Sequence, residues 1–186
     1  MSLPPSKSPT PSPVSRCYEY AHDVDAGRIV ACKKVKLACR RFLRDLERAK
    51  DPAYPWRFDE QKAARPVDFI ERFLTPTKGD YDKMTLMPWQ CFVECNLYGW
   101  VSKENGLRRF REGLIVVGTG NGKSTMLAGN ATYGACKDGE RGADIYLLAN
   151  SKEQKSCSTS ATARSRPVDS LRLVFAHCAT AFTMTP

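Results

Sequence analysis

The segment Leu114-Ile-Val-Val-Gly-Thr-Gly-Asn-Gly-Lys-Ser-Thr125 joins an apolar, β-rich run to a glycine-dense loop that ends in Gly122-Lys123-Ser124. Glycines let successive backbone N–H groups turn inward around a polyphosphate, at angles that side chains disfavour. In such loops the lysine reaches the terminal phosphates, and the next hydroxyl ligates the accompanying Mg²⁺. The segment therefore predicts a phosphate-binding loop for a nucleotide, with Lys123 neutralising phosphate charge and Ser124 holding the metal ion.

The predicted contacts lie in this loop and in the first turn of the helix expected to follow it. They are Gly118, Thr119, Gly120, Asn121, Gly122, Lys123, Ser124 and Thr125. The full P-loop pattern asks for a glycine where this chain has Val117, so a turn that merely contains Gly-Lys-Ser is the alternative. A helix-compatible run over residues 126–136 and an apolar strand over 144–149 favour the phosphate-binding reading, because they complete a β-loop-α-β unit.

The bulk composition leaves room for one domain with a real core, since the chain has 186 residues. It shows no apolar run long enough to cross a bilayer and no secretion signal at its start, which predicts no membrane partner and a cytoplasmic location. Eight cysteines are spread without the rhythm of a disulfide scaffold, and free thiols are expected. Cys91 and Cys95 share a helix face, but packed thiols are favoured over a zinc site because no second Cys or His pair accompanies them.

The positive charge is concentrated toward the N-terminus. Residues 1–50 contain eleven Lys or Arg and five Asp or Glu, whereas residues 51–154 contain fourteen of each. A basic segment of this kind either contacts nucleic acid phosphates or forms an ordinary solvated helix face. Charge alone leaves these two readings open.

The sequence predicts four consecutive regions. They are a disordered Pro/Ser-rich arm (1–16), an α-helical N-terminal extension (17–85), the first part of a P-loop ATPase core (86–154) and an atypical tail (155–186). Within the extension we expect a break near Gly27 and a kink or break at Pro66. The tail is either a polar loop with a short terminal element or a segment foreign to the fold. The fold class is α/β: a partial P-loop NTPase parallel sheet flanked by helices, preceded by the helical extension.

Several blocks, in this order, resemble the N-terminal part of the large terminase subunit of tailed bacteriophages. They lie at residues 20–24, 27–31, 38–46, 58–60, 69–74, 77–79, 86–90, 99–100, 120–124 and 146–154. The resemblance implies a DNA-packaging motor that uses ATP and Mg²⁺ to drive double-stranded DNA into a preformed capsid, in the cytoplasm of a bacterial host. It also implies the terminase small subunit and the procapsid portal as partners, and an oligomeric full-length protein. Gln90 would then lie beside the adenine, the alternative being a surface glutamine at a helix start.

Two departures from the family limit the expected activity. Thr119 stands where these loops commonly carry an arginine, and Arg108, Arg109 or Arg111 cannot be assumed to replace it. No water-activating carboxylate is identifiable after Ala149, because the only acidic residue of the tail is Asp169. We therefore expect a truncated subunit that binds ATP without hydrolysing it at a useful rate. The alternatives are a non-catalytic nucleotide- or DNA-binding fragment and another P-loop motor, such as a helicase.

Overall fold

The structure, a computed structural model, describes residues 11–75, 84–118, 120–137 and 172–177. Its elements are α1 (Pro13–Asp25), α2 (Lys33–Arg48), β1 (Trp56–Phe58), α3 (Glu60–Phe73), α4 (Pro88–Gly99), β2 (Trp100–Ser102), β3 (Glu112–Val117), α5 (Lys123–Cys136) and β4 (Arg172–His177). The predicted mixture of helix and strand is therefore confirmed. Among the described helices, none is long and apolar enough to cross a membrane.

Helix α1 begins earlier than the predicted end of the disordered arm at residue 16. Ser12 caps it, because its Oγ accepts a hydrogen bond from the backbone N–H of Ser15 at 3.1 Å, and Pro13 stands in the first turn, where no N–H is needed. Val14 and Cys17 then bury their side chains in the core. Helix formation therefore starts within the Pro/Ser-rich stretch, and residues 1–10 lie outside the described part of the chain.

Helix α3 is continuous from Glu60 to Phe73, so of the kink or break predicted at Pro66 the break does not occur. The side chain of Asp59 caps its first turn by accepting from the N–H of Lys62 at 3.1 Å. Proline inside a helix removes one backbone hydrogen bond. Pro66 lies on the buried face with Val67 and Ile70, and this apolar burial offsets the lost bond.

The apolar core is built where α1, α3 and α4 pack against one another, with α2 against α1. Phe42 of α2 lies at its centre, with ring centroids 5.3 Å from Phe58, 5.6 Å from Phe92 and 6.2 Å from Trp100. Edge-to-face packing of this kind adds to the burial of apolar area. Helix α4 therefore belongs to the same core as the N-terminal helices, although the sequence places a region boundary at residue 86.

The described residues form two separate strand pairs. Strands β1 and β2 pair antiparallel, with Trp56 opposite Ser102 and Phe58 opposite Trp100, which the sequence did not predict. Strands β3 and β4 pair parallel, from Glu112 opposite Arg172 onward, so the tail contains a short strand. The strand predicted at 144–149 lies outside the described residues.

Candidate nucleotide-binding site

The strand, the glycine loop and the helix follow one another as the sequence predicts. Strand β3 ends at Val117, and α5 begins at Lys123. Gly120 and Gly122 have φ angles of +82° and +69°, a left-handed conformation that L side chains rarely adopt. The sharp turn between strand and helix therefore depends on glycine at these two positions, and Gly122 caps the N-terminus of α5.

The side chain of Lys123 folds back beneath the loop. Its Nζ donates to the carbonyl oxygen of Gly118 at 2.8 Å and to that of Val117 at 2.9 Å. These bonds close the loop and hold the ammonium between the strand end and the helix start. A phosphate placed here would meet a positive charge and the positive end of α5, and would compete with the two carbonyl groups for Lys123.

Gln90 lies directly against the loop, buried rather than on the surface. Its Nε2 donates to the carbonyl oxygen of Asn121 at 3.5 Å, while its Oε1 accepts from the N–H of Met87 at 2.9 Å and caps α4. The Asn121 side chain donates in turn to the carbonyl oxygen of Gly118 at 3.3 Å. A Cβ on Gly122 would lie 3.1 Å from the Gln90 Nε2. The structure thus brings Gln90 into contact with the loop.

The remaining predicted residues are only partly described. Thr125 is half-buried in the first turn of α5, and the backbone of Ser124 lies in the same turn. The side chain of Ser124 and the whole of Thr119 lie outside the described residues. The metal-binding role of Ser124 therefore stays a prediction.

A buried polar cluster beneath the loop was not predicted. The carboxyl Oε1 of Glu94 accepts from Nδ2 of Asn130 at 2.6 Å, and the hydroxyl of Tyr98 donates to Oδ1 of Asn130 at 3.0 Å. Burial raises the pKa of Glu94 to about 8, and the bond from Asn130 opposes that shift. The signal in the sequence was the four-residue spacing of Gln90, Glu94 and Tyr98 along a mostly apolar helix.

Arg109, one of the three arginines considered for the loop, is half-buried and bonded within the fold. Its guanidinium donates to Oδ2 of Asp45 at 2.8 Å and lies 5.5 Å from the ring centroid of Trp100. Arg108 is buried, and its guanidinium lies 5.2 Å from the ring centroid of Tyr98. Both arginines therefore stabilise the fold around the strand that leads to the loop.

Cys91 and Cys95 are packed thiols, as predicted. Both are fully buried, and their sulfur atoms donate to backbone carbonyl oxygens of Leu86 at 3.7 Å and Pro13 at 3.8 Å. Burial raises the pKa of Cys91 to about 12, so this thiol stays protonated at neutral pH. Within the described ranges, no three His, Cys, Asp or Glu side chains come together as a metal site would require.

Comparison with known proteins gives one family. Residues 88–159 match the model of the terminase large subunit, ATPase domain. No curated protein and no solved structure matches the chain. The matched segment starts with α4 and includes Gln90, β3, the glycine loop and α5. The predicted resemblance to a terminase large subunit is thereby confirmed, through an ATPase-domain segment that contains the whole candidate site.

Proposed function

We propose that this chain forms the leading helices and the first half of the ATPase core of a phage terminase large subunit, the motor that packages double-stranded DNA into procapsids. The observation that carries the proposal is the glycine loop between β3 and α5, with its lysine held inside the loop, within a segment that matches the terminase ATPase domain. In this proposal β3 and β4 belong to a P-loop parallel sheet, to which the strand predicted at 144–149 adds.

The loop would bind ATP together with Mg²⁺. Lys123 would leave the carbonyl groups of Val117 and Gly118 and neutralise the terminal phosphates, while Ser124 would ligate the metal ion. Bound Mg²⁺ supplies positive charge to the phosphate oxygens. Gln90 lies against the loop at Asn121, and its amide would read the edge of the adenine.

A pair of glycine substitutions tests the binding proposal. Gly122→Ala and Gly27→Ala both place a side chain at a φ near +70°, with a comparable backbone strain of about 1–2 kcal/mol. Only at Gly122 does the new Cβ meet another group, the Gln90 amide, since nothing lies within 4 Å at Gly27. ATP binding should weaken at least about tenfold in the first variant and stay within about twofold in the second. Equal effects of the two substitutions would contradict the proposed site.

We further propose that a polypeptide of these 186 residues binds ATP without hydrolysing it at a useful rate. Beyond residue 154 the sequence contains one acidic residue, Asp169, and no apolar run of residues precedes it. Activation of the attacking water requires a positioned carboxylate. Phosphate release should therefore stay at background, and turnover by the pure protein that Lys123→Ala abolishes would contradict this part.

A second candidate function, DNA binding, is favoured by helix α2. Its exposed face carries a row of cations at helical spacing: Lys33, Lys34, Arg40, Arg41, Arg44 and Arg48. On the same helix Asp45 is buried, so the only exposed acidic side chain is that of Glu47. A helix face of this kind complements the phosphate backbone of duplex DNA and would bind it without sequence preference.

Charge reversal on two different helices distinguishes DNA binding by α2 from a general attraction between the positively charged chain and DNA. Lys34→Glu with Arg44→Glu reverses charge on α2, and Arg65→Glu with Arg72→Glu makes the same charge change on the exposed face of α3. Binding of a short duplex, measured against salt concentration, should weaken and lose salt dependence mainly in the α2 variant. Equal losses in both variants would remove α2 as the binding surface. Lys123→Ala should leave DNA binding unchanged.

A further inference from the structure

Helix α4 presents a polar stripe to the loop and to α5. Gln90, Glu94 and Tyr98 follow one another at four-residue steps, which places them on one side of the helix. All three side chains are buried. Gln90 bonds to the loop at Asn121, while Glu94 and Tyr98 both bond to Asn130 of α5.

Asn130 connects this stripe to the start of α5. Its Nδ2 donates to Glu94 at 2.6 Å and also to the backbone carbonyl of Met126 at 3.1 Å, and its Oδ1 accepts from Tyr98. Met126 lies one turn after Lys123, and its own N–H bonds to the carbonyl oxygen of Gly122. A single chain of contacts therefore runs from the Glu94 carboxyl through Asn130 to the turn that carries the phosphate-binding lysine.

Apolar contacts also place α5, among them the edge-to-face packing of Tyr133 on Tyr98 and Phe69. Gly129 approaches α3 so closely that a Cβ there would lie 3.0 Å from the Ile70 side chain. Apolar packing is non-directional and permits a helix to roll or slide, whereas a short hydrogen bond to a buried group fixes direction and register. Glu94 is fully buried, and its Oε2 makes no hydrogen bond to the part of the chain that the structure describes. An acid in this setting is costly for stability, which favours a role in placing α5.

We propose that Glu94 is a positioning residue of the nucleotide site: by holding Asn130, it fixes the first turns of α5 against α4 and keeps Lys123 and Gln90 in register around the loop. The expected effect of Glu94 on nucleotide binding rests on the proposed ATP-binding function. The fixing of α5 by Glu94 rests on the contacts alone.

The test compares Glu94→Gln, Glu94→Leu and Asn130→Ala, with Val24→Ala as a control in the core between α1 and α2. Glu94→Gln keeps an oxygen acceptor for Asn130, whereas Glu94→Leu and Asn130→Ala remove the bond from either side, so the comparison does not depend on one variant folding. The control substitution truncates a buried side chain of α1 and leaves a cavity in the core. Two readouts are used: the Kd for ATP with Mg²⁺, and amide hydrogen exchange along the chain.

Loss of the bond should weaken ATP binding about tenfold or more, while Glu94→Gln stays within about twofold of wild type. Exchange should accelerate selectively in residues 120–130, and Val24→Ala should leave that segment relatively unchanged. The inference would be overturned if Glu94→Leu and Asn130→Ala left both the affinity for ATP and the amide protection of residues 120–130 unchanged. It would also be overturned if amide exchange in that segment accelerated no more in these variants than in Val24→Ala. If the wild-type chain binds no ATP, the proposed function fails, and the exchange data alone decide whether Glu94 fixes α5.

Discussion

Arg109 donates to Oδ2 of Asp45 at 2.8 Å and thereby ties the segment before strand β3 to helix α2. Asp45 is almost completely buried, and the guanidinium also contacts the hydroxyl of Tyr54 at 3.1 Å. Four aromatic rings surround the cation, those of Phe110 and Trp100 among them, at 5.0 and 5.5 Å from their centroids. The glycine loop is therefore attached to the N-terminal helices through this arginine as well as through α4.

Removing the arginine should destabilise the fold strongly. Arg109→Ala leaves a buried carboxylate without its main partner, and we expect the free energy of unfolding to fall by about 3 kcal/mol. Arg57→Ala is the matched control, since Arg57 pairs with Asp59 at 3.3 Å on the solvent side and should cost less than about 1 kcal/mol. Urea unfolding of both variants measures the difference. Equal losses would mean that the Arg109–Asp45 pair adds nothing beyond a surface ion pair.

At Gly99, helix α4 closely approaches Phe58 and Ala63. A Cβ on it would lie 2.8 Å from the Ala63 Cβ and 2.5 Å from the ring of Phe58. The rigid Ala63 neighbour cannot move away, so Gly99→Ala should lower the free energy of unfolding by about 1–3 kcal/mol through overpacking. Adding Ala63→Gly to this variant should restore part of the loss, and a neutral or stabilising single substitution would show that the core accommodates the methyl group.

The sequence predicted the elements that depend on local pattern. Gly27 separates the first two helices as expected, and the glycine loop joins strand to helix where Lys123 begins α5. The sequence did not predict elements whose formation depends on contacts between residues far apart in the chain. The β1–β2 pairing joins segments more than forty residues apart, and each strand is only three residues long, too short for a period to show.

The candidate site could likewise be predicted only in part. The position of the glycine loop between strand and helix could be predicted from the order of residues in the chain, because a loop of this kind is a local structure. The buried partnership of Glu94 with Asn130 depends on how α4 packs near α5, which no local pattern encodes. The continuity of helix α3 through Pro66 likewise depends on tertiary packing, since burial of the proline ring offsets the hydrogen bond lost with the missing N–H.

Stability should depend on pH through Glu94. Its pKa is about 8 in the folded chain and about 4.3 in an unfolded one, so folding retains a proton that the unfolded chain releases. The stabilisation is complete below pH ~4.3 and is lost as the pH rises toward ~8, on the order of a few kcal/mol in total. The nearby Cys91, with a pKa of about 12, stays protonated through this window.

Urea unfolding of wild type and Glu94→Gln between about pH 5 and pH 8.5 measures this dependence. The difference in unfolding free energy, wild type minus variant, should decrease steadily with rising pH and level off above about pH 8. The amide cannot ionise, so it supplies the matched reference. A difference that stays flat, or that grows with pH, would mean that Glu94 is ionised in the folded chain.

Equilibrium binding of ATP with Mg²⁺ to the purified chain shows whether the loop around Lys123 binds the phosphates of ATP. Wild type should bind, and Lys123→Ala should weaken binding by about 100-fold, because the ammonium that neutralises the phosphates is removed. Lys137→Ala, an exposed lysine that caps the other end of α5, should bind like wild type. No binding by the wild-type chain, or equal binding by all three proteins, would contradict the account.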